Sequence, residues 1–100
     1  MNHPADEQAV IALRALAHPV RLGIMQELAK HPETCACDFT EVFAVAQPTV
    51  SAHLKTLREA GLVTTRRRGT QICYSIAPEP LEQLQATLTR LTPTLLKTAS

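Results

Sequence analysis

Polar and apolar residues alternate most legibly between Gln47 and Gly69. Val50, Leu54 and Leu57 fall at i, i+4 and i+7, which puts one apolar stripe on a helix and requires a core to receive it. Pro48 suits the first helical turn, where a missing N–H costs nothing, and Gly61 suits the position just past the end, where the chain needs positive φ. The spacing predicts a helix over 47–60 whose other faces carry Thr49, Ser51, Lys55 and Arg58. Directly afterwards 62–65 has strand composition, 66–69 reads as a basic turn of three arginines and a glycine, and 71–76 as the returning strand. A polar helix followed at once by a hairpin with arginines at its tip is the pattern of a winged helix-turn-helix.

The flanking segments complete that architecture. Ala9, Leu13 and Leu16, with Val10 and Ala17, predict a helix over 5–17 after a frayed 1–4, ending at His18-Pro19. Pro19 opens a second helix to Lys30, with Val20, Ile24, Met25 and Leu28 inward and Gly23 weakening its middle. Residues 31–34 read as a loop. Asp38, with Glu41 three residues on, reads as the cap of a short third helix with Phe39, Val42 and Phe43 inward; 43–46 is the turn into the next helix. After a proline-rich linker at 77–80, Leu81, Leu84, Leu88, Leu91 and Leu95 recur in steps of three and four over 81–97, until Pro93 ends or kinks the run. That seam is narrow and suits a partner helix. Together with Val10 and Leu13 it predicts a homodimer joined through the terminal helices; the alternative is that both helices cover their own core. The expected class is mainly α with a small β-hairpin, one domain over 1–100, in the order α-α-α-α-β-β-α.

Charge sharpens the picture. The net charge is only +1, yet Lys55, Arg58, Arg66, Arg67 and Arg68 face only Glu59 in the middle of the chain, while Asp6, Glu7, Glu79 and Glu82 lie outside it. Neighbouring arginines repel one another and gain by meeting phosphates. Aromatic content is 3%, so stacking on single-stranded bases is poorly supplied. No apolar run reaches membrane-spanning length and the N-terminus has no basic n-region, so a cytoplasmic protein with reduced cysteines and no membrane partner is expected.

Four segments resemble the ArsR/SmtB family of metalloregulatory repressors, in that family's order: Ala15-Leu16-Ala17-His18-Pro19-Val20-Arg21-Leu22; Cys35-Ala36-Cys37-Asp38-Phe39; Gln47 to Leu54 continuing through Leu57 to Val63; and Arg66 to Gly69 with Tyr74. The resemblance implies a dimer of winged-helix subunits, not an enzyme, that blocks transcription until a metal or metalloid binds. Ala46 stands where the family often has a capping serine, and Ala44 where its turn often has glycine. On this likeness Gln47, Thr49, Ser51 and Ala52 are expected towards the major groove of operator DNA, with Lys55, Arg58 and Arg66 to Arg68 on phosphates.

Cys35 and Cys37 are the candidate ion ligands. Residues i and i+2 lie about 200° apart around a helix but on one side of an extended chain, so two thiolates reach one ion only if 35–37 is non-helical. A helix N-terminus just beyond them would favour thiolate, with Asp38 opposing. The competing reading is that both are small buried hydrophobes. Thiolates select soft ions. The arsenical-resistance branch, the nearest likeness, carries a third cysteine where this chain has Thr40. As(III) or Sb(III) could take two sulfurs from the protein and a third ligand from outside. Zn or Cd would want four ligands, with His31, His3 or Asp38 as candidates. The family's acidic/histidine site on the last helix has no counterpart beyond Glu82. Cys73 reads as a strand residue far from Cys35, His53 as a packing or phosphate residue, and His18 as a helix boundary. Oxidants or persulfides acting at the cysteine pair are the rival signal. A thiol oxidoreductase lacks both its Cys-x-x-Cys and its βαβ pattern, and a winged helix used only for protein contacts would lack a steep salt dependence.

Overall fold

The computed structural model describes residues 4–43 and 45–93. Five helices and three strands follow in the order α1 (Pro4–Leu16), α2 (Pro19–Lys30), β1 (Thr34–Cys35), α3 (Ala36–Phe43), α4 (Gln47–Glu59), β2 (Val63–Arg68), β3 (Gln71–Ile76) and α5 (Pro78–Leu91). The strands form one antiparallel sheet in the order β1-β3-β2. The winged helix-turn-helix is present as expected, with one added strand: β1 occupies part of what reads as a loop in the sequence. Ala44 and the end of the predicted last helix, including Leu95, lie outside the described residues.

One apolar cluster holds these elements together. Ile24 and Leu28 of α2, Phe39 of α3, the α4 stripe of Val50, Leu54 and Leu57, and Leu62 are all fully buried in it. The end of α4 shows why Gly61 is glycine. Its φ is +78°; the N–H of Leu62 donates to Leu57 O at 3.0 Å and that of Gly61 to Arg58 O at 2.9 Å. This pair of bonds satisfies the last carbonyls of the helix and folds Leu62 back onto Leu57. Gly69, φ +62°, turns the hairpin.

The start of α4 is less well finished. Ala46 holds the extended N-cap backbone but offers no side-chain acceptor. Pro48 has no N–H to satisfy, so a serine at position 46 could bond only the Thr49 N–H, which already reaches Ala46 O at 3.0 Å. Ala46→Ser is therefore expected at the low end of cap effects, about 0.5–1 kcal/mol of added stability. A rise of roughly 4 °C in the thermal midpoint by circular dichroism would register it.

The terminal helices correct part of the sequence reading. The buried stripe of α1 is Ala9, Ala12 and Ala15, while Val10, Ile11 and Leu13 are exposed. Small side chains let α1 pack closely, so its large apolar residues are turned outward. In α5, Leu84 is buried and Leu81 packs on the same core, whereas Leu88 and Leu91 are exposed. The leucine seam thus divides: its first half serves the chain's own core and only its second half is free for a partner. Val42, expected inward, is exposed. Gly23 has a packing reason, since a Cβ there would sit 2.6 Å from the Phe43 ring that lies over α2. No described helix is long and apolar enough to cross a membrane.

Candidate nucleic-acid interface and thiol site

The α4 stripe that enters the core fixes what faces out. Gln47, Thr49, Ser51, Ala52, Lys55 and Arg58 are all exposed. Behind them α2 and α4 are tied by a polar bracket. The Arg21 guanidinium donates to the carbonyls of Ala15 and Arg14 at the end of α1, and through Nη1 to Nδ1 of His53 at 3.3 Å. A guanidinium only donates, so His53 Nδ1 accepts and the ring is neutral there. The pKa of His53 is lowered accordingly, first by partial loss of water, then by His18 and by Arg21. The His18 ring lies 4.3 Å from that of His53, and its Nδ1 accepts the Val20 N–H at 3.1 Å, capping α2. His18 is thus the helix-boundary residue expected, and His53 a packing residue.

In the wing the arginines sit in strand β2 rather than at the tip, which is Gly69-Thr70. The ladder pairs Val63 with Ile76, Thr65 with Tyr74 and Arg67 with Ile72; the alternate set pairs Thr64 with Ser75, Arg66 with Cys73 and Arg68 with Gln71. Side chains alternate across a sheet, and Val63, Tyr74 and Ile76 belong to the core side. Arg66, Arg68 and Cys73 therefore share the opposite face, on which the arginines are exposed and Cys73 is buried. Glu33, just ahead of β1, reaches the same face: its carboxylate lies 3.4 Å from Arg66 Nε and 3.0 Å from Arg68 Nε. Charge counting along the chain overlooked this contact, because Glu33 is far from the arginines in sequence. An exposed pair of this kind is worth only about 0.2–1 kcal/mol, but it competes directly with phosphate. Glu33→Gln is expected to raise duplex-DNA affinity about two- to five-fold and to steepen its salt dependence, read by fluorescence anisotropy.

The cysteines are placed differently from expectation. Cys35 ends β1 and pairs in register with Cys73 of β3, with their Cα atoms 3.9 Å apart; the two are joined as a disulfide. Cys73, a strand residue as read, is therefore beside Cys35, not far from it. The helix also begins at Ala36, two residues before Asp38, so Asp38 is a first-turn acid rather than the cap. Cys37 is consequently helical, and only Cys35 has the extended backbone that joint chelation by 35 and 37 assumed. Cys37 is free and exposed, with Sγ 3.9 Å from Asp38 Oδ1. It lines an opening of about 290 Å³ with Gln47, Ser51, Gln71, Ile72 and Tyr74, of which Ile72 and Tyr74 belong to the sheet face opposite Cys73.

Among the described residues no group of three or more His, Cys, Asp or Glu converges as a metal site. His31 is engaged with Glu27 at 3.6 Å, and His3 lies outside the described residues. A four-ligand zinc or cadmium site is thus not assembled within the described chain, whereas two sulfurs suffice for a trivalent metalloid that brings its own remaining ligand.

Comparison with known proteins agrees with this architecture. The profile described as "Bacterial regulatory protein, arsR family" matches residues 18–65. The chain is 44% identical over 71 residues to an arsenical resistance operon repressor of Bacillus subtilis (strain 168), covering 71% of this chain and 68% of that one. It is 37% identical to the HTH-type transcriptional regulator YgaV of Escherichia coli (strain K12), over 82% of this chain and 83% of that one. Among solved structures, one described as a possible transcriptional regulator for arsenical resistance superposes with a TM-score of 0.75 at 30% identity, covering 88% of this chain and 92% of the other.

Proposed function

This chain belongs to the arsR family of bacterial transcriptional regulators, a family of DNA-binding proteins and not of enzymes, and from that premise we propose that it is a repressor released from its operator by a thiophilic ion, As(III) or Sb(III), captured at a thiol site that includes Cys35. Two chains associate through the outward apolar residues of the terminal helices, Val10 and Leu13 with Leu88 and Leu91, while Leu81 and Leu84 support the same face from within. The dimer sets two copies of α4 in successive major grooves of an inverted repeat, about 34 Å apart. Gln47, Thr49, Ser51 and Ala52 meet base edges, and Lys55, Arg58 and the three wing arginines meet phosphates.

The observation that carries this reading is the position of residues 35–37. They join β1, which pairs with the wing, to α3, whose Phe39 is buried against the α4 stripe. An ion that closes on sulfur here draws on both DNA-contacting elements at once. A coupling of about 1–3 kcal/mol, which is 5- to 150-fold in affinity, is typical of such linkage. The test is a gel-shift series on an operator selected from random duplexes, with the protein reduced by a phosphine. Arsenite should release the wild type and leave Cys35→Ser bound; retention of both removes the sensing claim, and zinc or cadmium acting at lower concentration than arsenite would reassign the ion.

The disulfide supports a second signal. A hydroperoxide that joins Cys35 to Cys73 would lock β1 onto the wing. Peroxide releasing operator where arsenite does not would favour this reading.

A further inference from the structure

We infer that the sulfur completing the ion site with Cys35 is that of Cys73, so that the effector is held across the β1–β3 strand pair on the wing face that carries Glu33, Arg66 and Arg68. The inference rests on the ion-sensing reading above and deepens it. Three observations carry it. Cys35 and Cys73 are register partners whose sulfurs meet across the two strands. Cys37 lies in α3 and lines an opening with Ile72 and Tyr74, the neighbours of Cys73 that point the other way. The chain has no cysteine at position 40, so a pair local to α3 has no third sulfur from its own helix.

The chemistry balances without a redox step. Arsenous acid loses two hydroxyls as Cys35 and Cys73 each form a sulfur–arsenic bond; the two thiol protons leave with those hydroxyls as two waters, and arsenic stays trivalent with its third oxygen. Both thiols must first be reduced, because the disulfide offers no thiolate. Cys73 is only 1% exposed and Cys35 is half-buried, so the ion reaches Cys35 first and closes onto Cys73 second.

The location also gives a short route to the wing. Glu33, Cys35, Cys73, Arg66 and Arg68 occupy one sheet face, with Arg66 the ladder partner of Cys73 and Glu33 already bridging both arginines. An arsenic atom seated between the sulfurs separates β1 from β3 more than a direct sulfur–sulfur bond does. Glu33 and the arginines it holds must then adjust.

Phenylarsine oxide tests the pairing, since it condenses with two thiols and releases one water. Trypsin separates the alternatives in the wild-type protein: residues 31–55 form one peptide carrying Cys35 and Cys37, and 69–90 another carrying Cys73. After reduction with a phosphine, one equivalent of probe and digestion under acid, mass spectrometry is expected to find the two peptides joined through a single phenylarsenic group. Cys37→Ser should keep one equivalent of binding, and Cys73→Ser should weaken it at least ten-fold. Phenylarsenic on peptide 31–55 alone would overturn the inference and leave Cys35 and Cys37 as the pair. No arsenic on either peptide would overturn the sensing reading itself.

Discussion

Replacing Arg66, Arg67 and Arg68 together by alanine is expected to weaken operator binding by about 100-fold for each protomer engaged, near 0.1 M salt. Each phosphate neutralised releases close to one counterion, and each such release is worth roughly eight-fold at that concentration. Three arginines would give several hundred-fold, but Arg66 and Arg68 are partly neutralised by Glu33 within the protein, which lowers the figure. The slope of log affinity against log salt should fall by two to three for each protomer engaged. All three side chains are exposed, so the thermal midpoint should hardly move. Loss of affinity with an unchanged slope would mean that the wing does not meet phosphate.

Phe39→Ala should have the largest effect on stability. Its ring is fully buried at the meeting of α2, α3 and α4, with the Phe43 ring stacked 6.4 Å away. Removing such a ring costs about 3–5 kcal/mol, a large part of the 5–15 kcal/mol that holds a domain this size together. The midpoint should fall by 15 °C or more on thermal denaturation. Phe39→Leu, which keeps most of the volume, should lose about a third of that. A melting temperature unchanged in Phe39→Ala would show that α3 is not braced on the core, and the proposed route from the thiols to α4 would fail with it.

The wing and the helices around it also mark where sequence reading succeeds and where it stops. The α4 stripe and Gly61 were legible because helix period and positive-φ glycine are local signals. The arginines were legible as a cluster, but their place in a strand depends on Gly69 setting the turn. β1 was not legible at all. A two-residue strand has no period of its own, and it exists only because Thr34 and Cys35 pair with Tyr74 and Cys73, 38 residues away for the cysteines. The same non-local pairing ends the extended segment at Cys35 and starts α3 at Ala36, overriding the capping signal at Asp38. In α1 the apolar pattern drew attention to Leu13 and Val10, whereas close packing selected Ala9, Ala12 and Ala15. Nothing local shows which of two apolar stripes a helix will bury.

The central claim is that a soft ion bound at Cys35 reaches the reading helix and the wing. Its most direct measurement is the anisotropy of labelled operator while arsenite is added in substoichiometric steps to the phosphine-reduced protein held close to its operator dissociation constant. The expected result is release with a break at one arsenic per protomer and at least a five-fold loss of affinity beyond it. Operator that stays bound at saturating arsenite, with both strand-paired thiols shown to be occupied, would contradict the account.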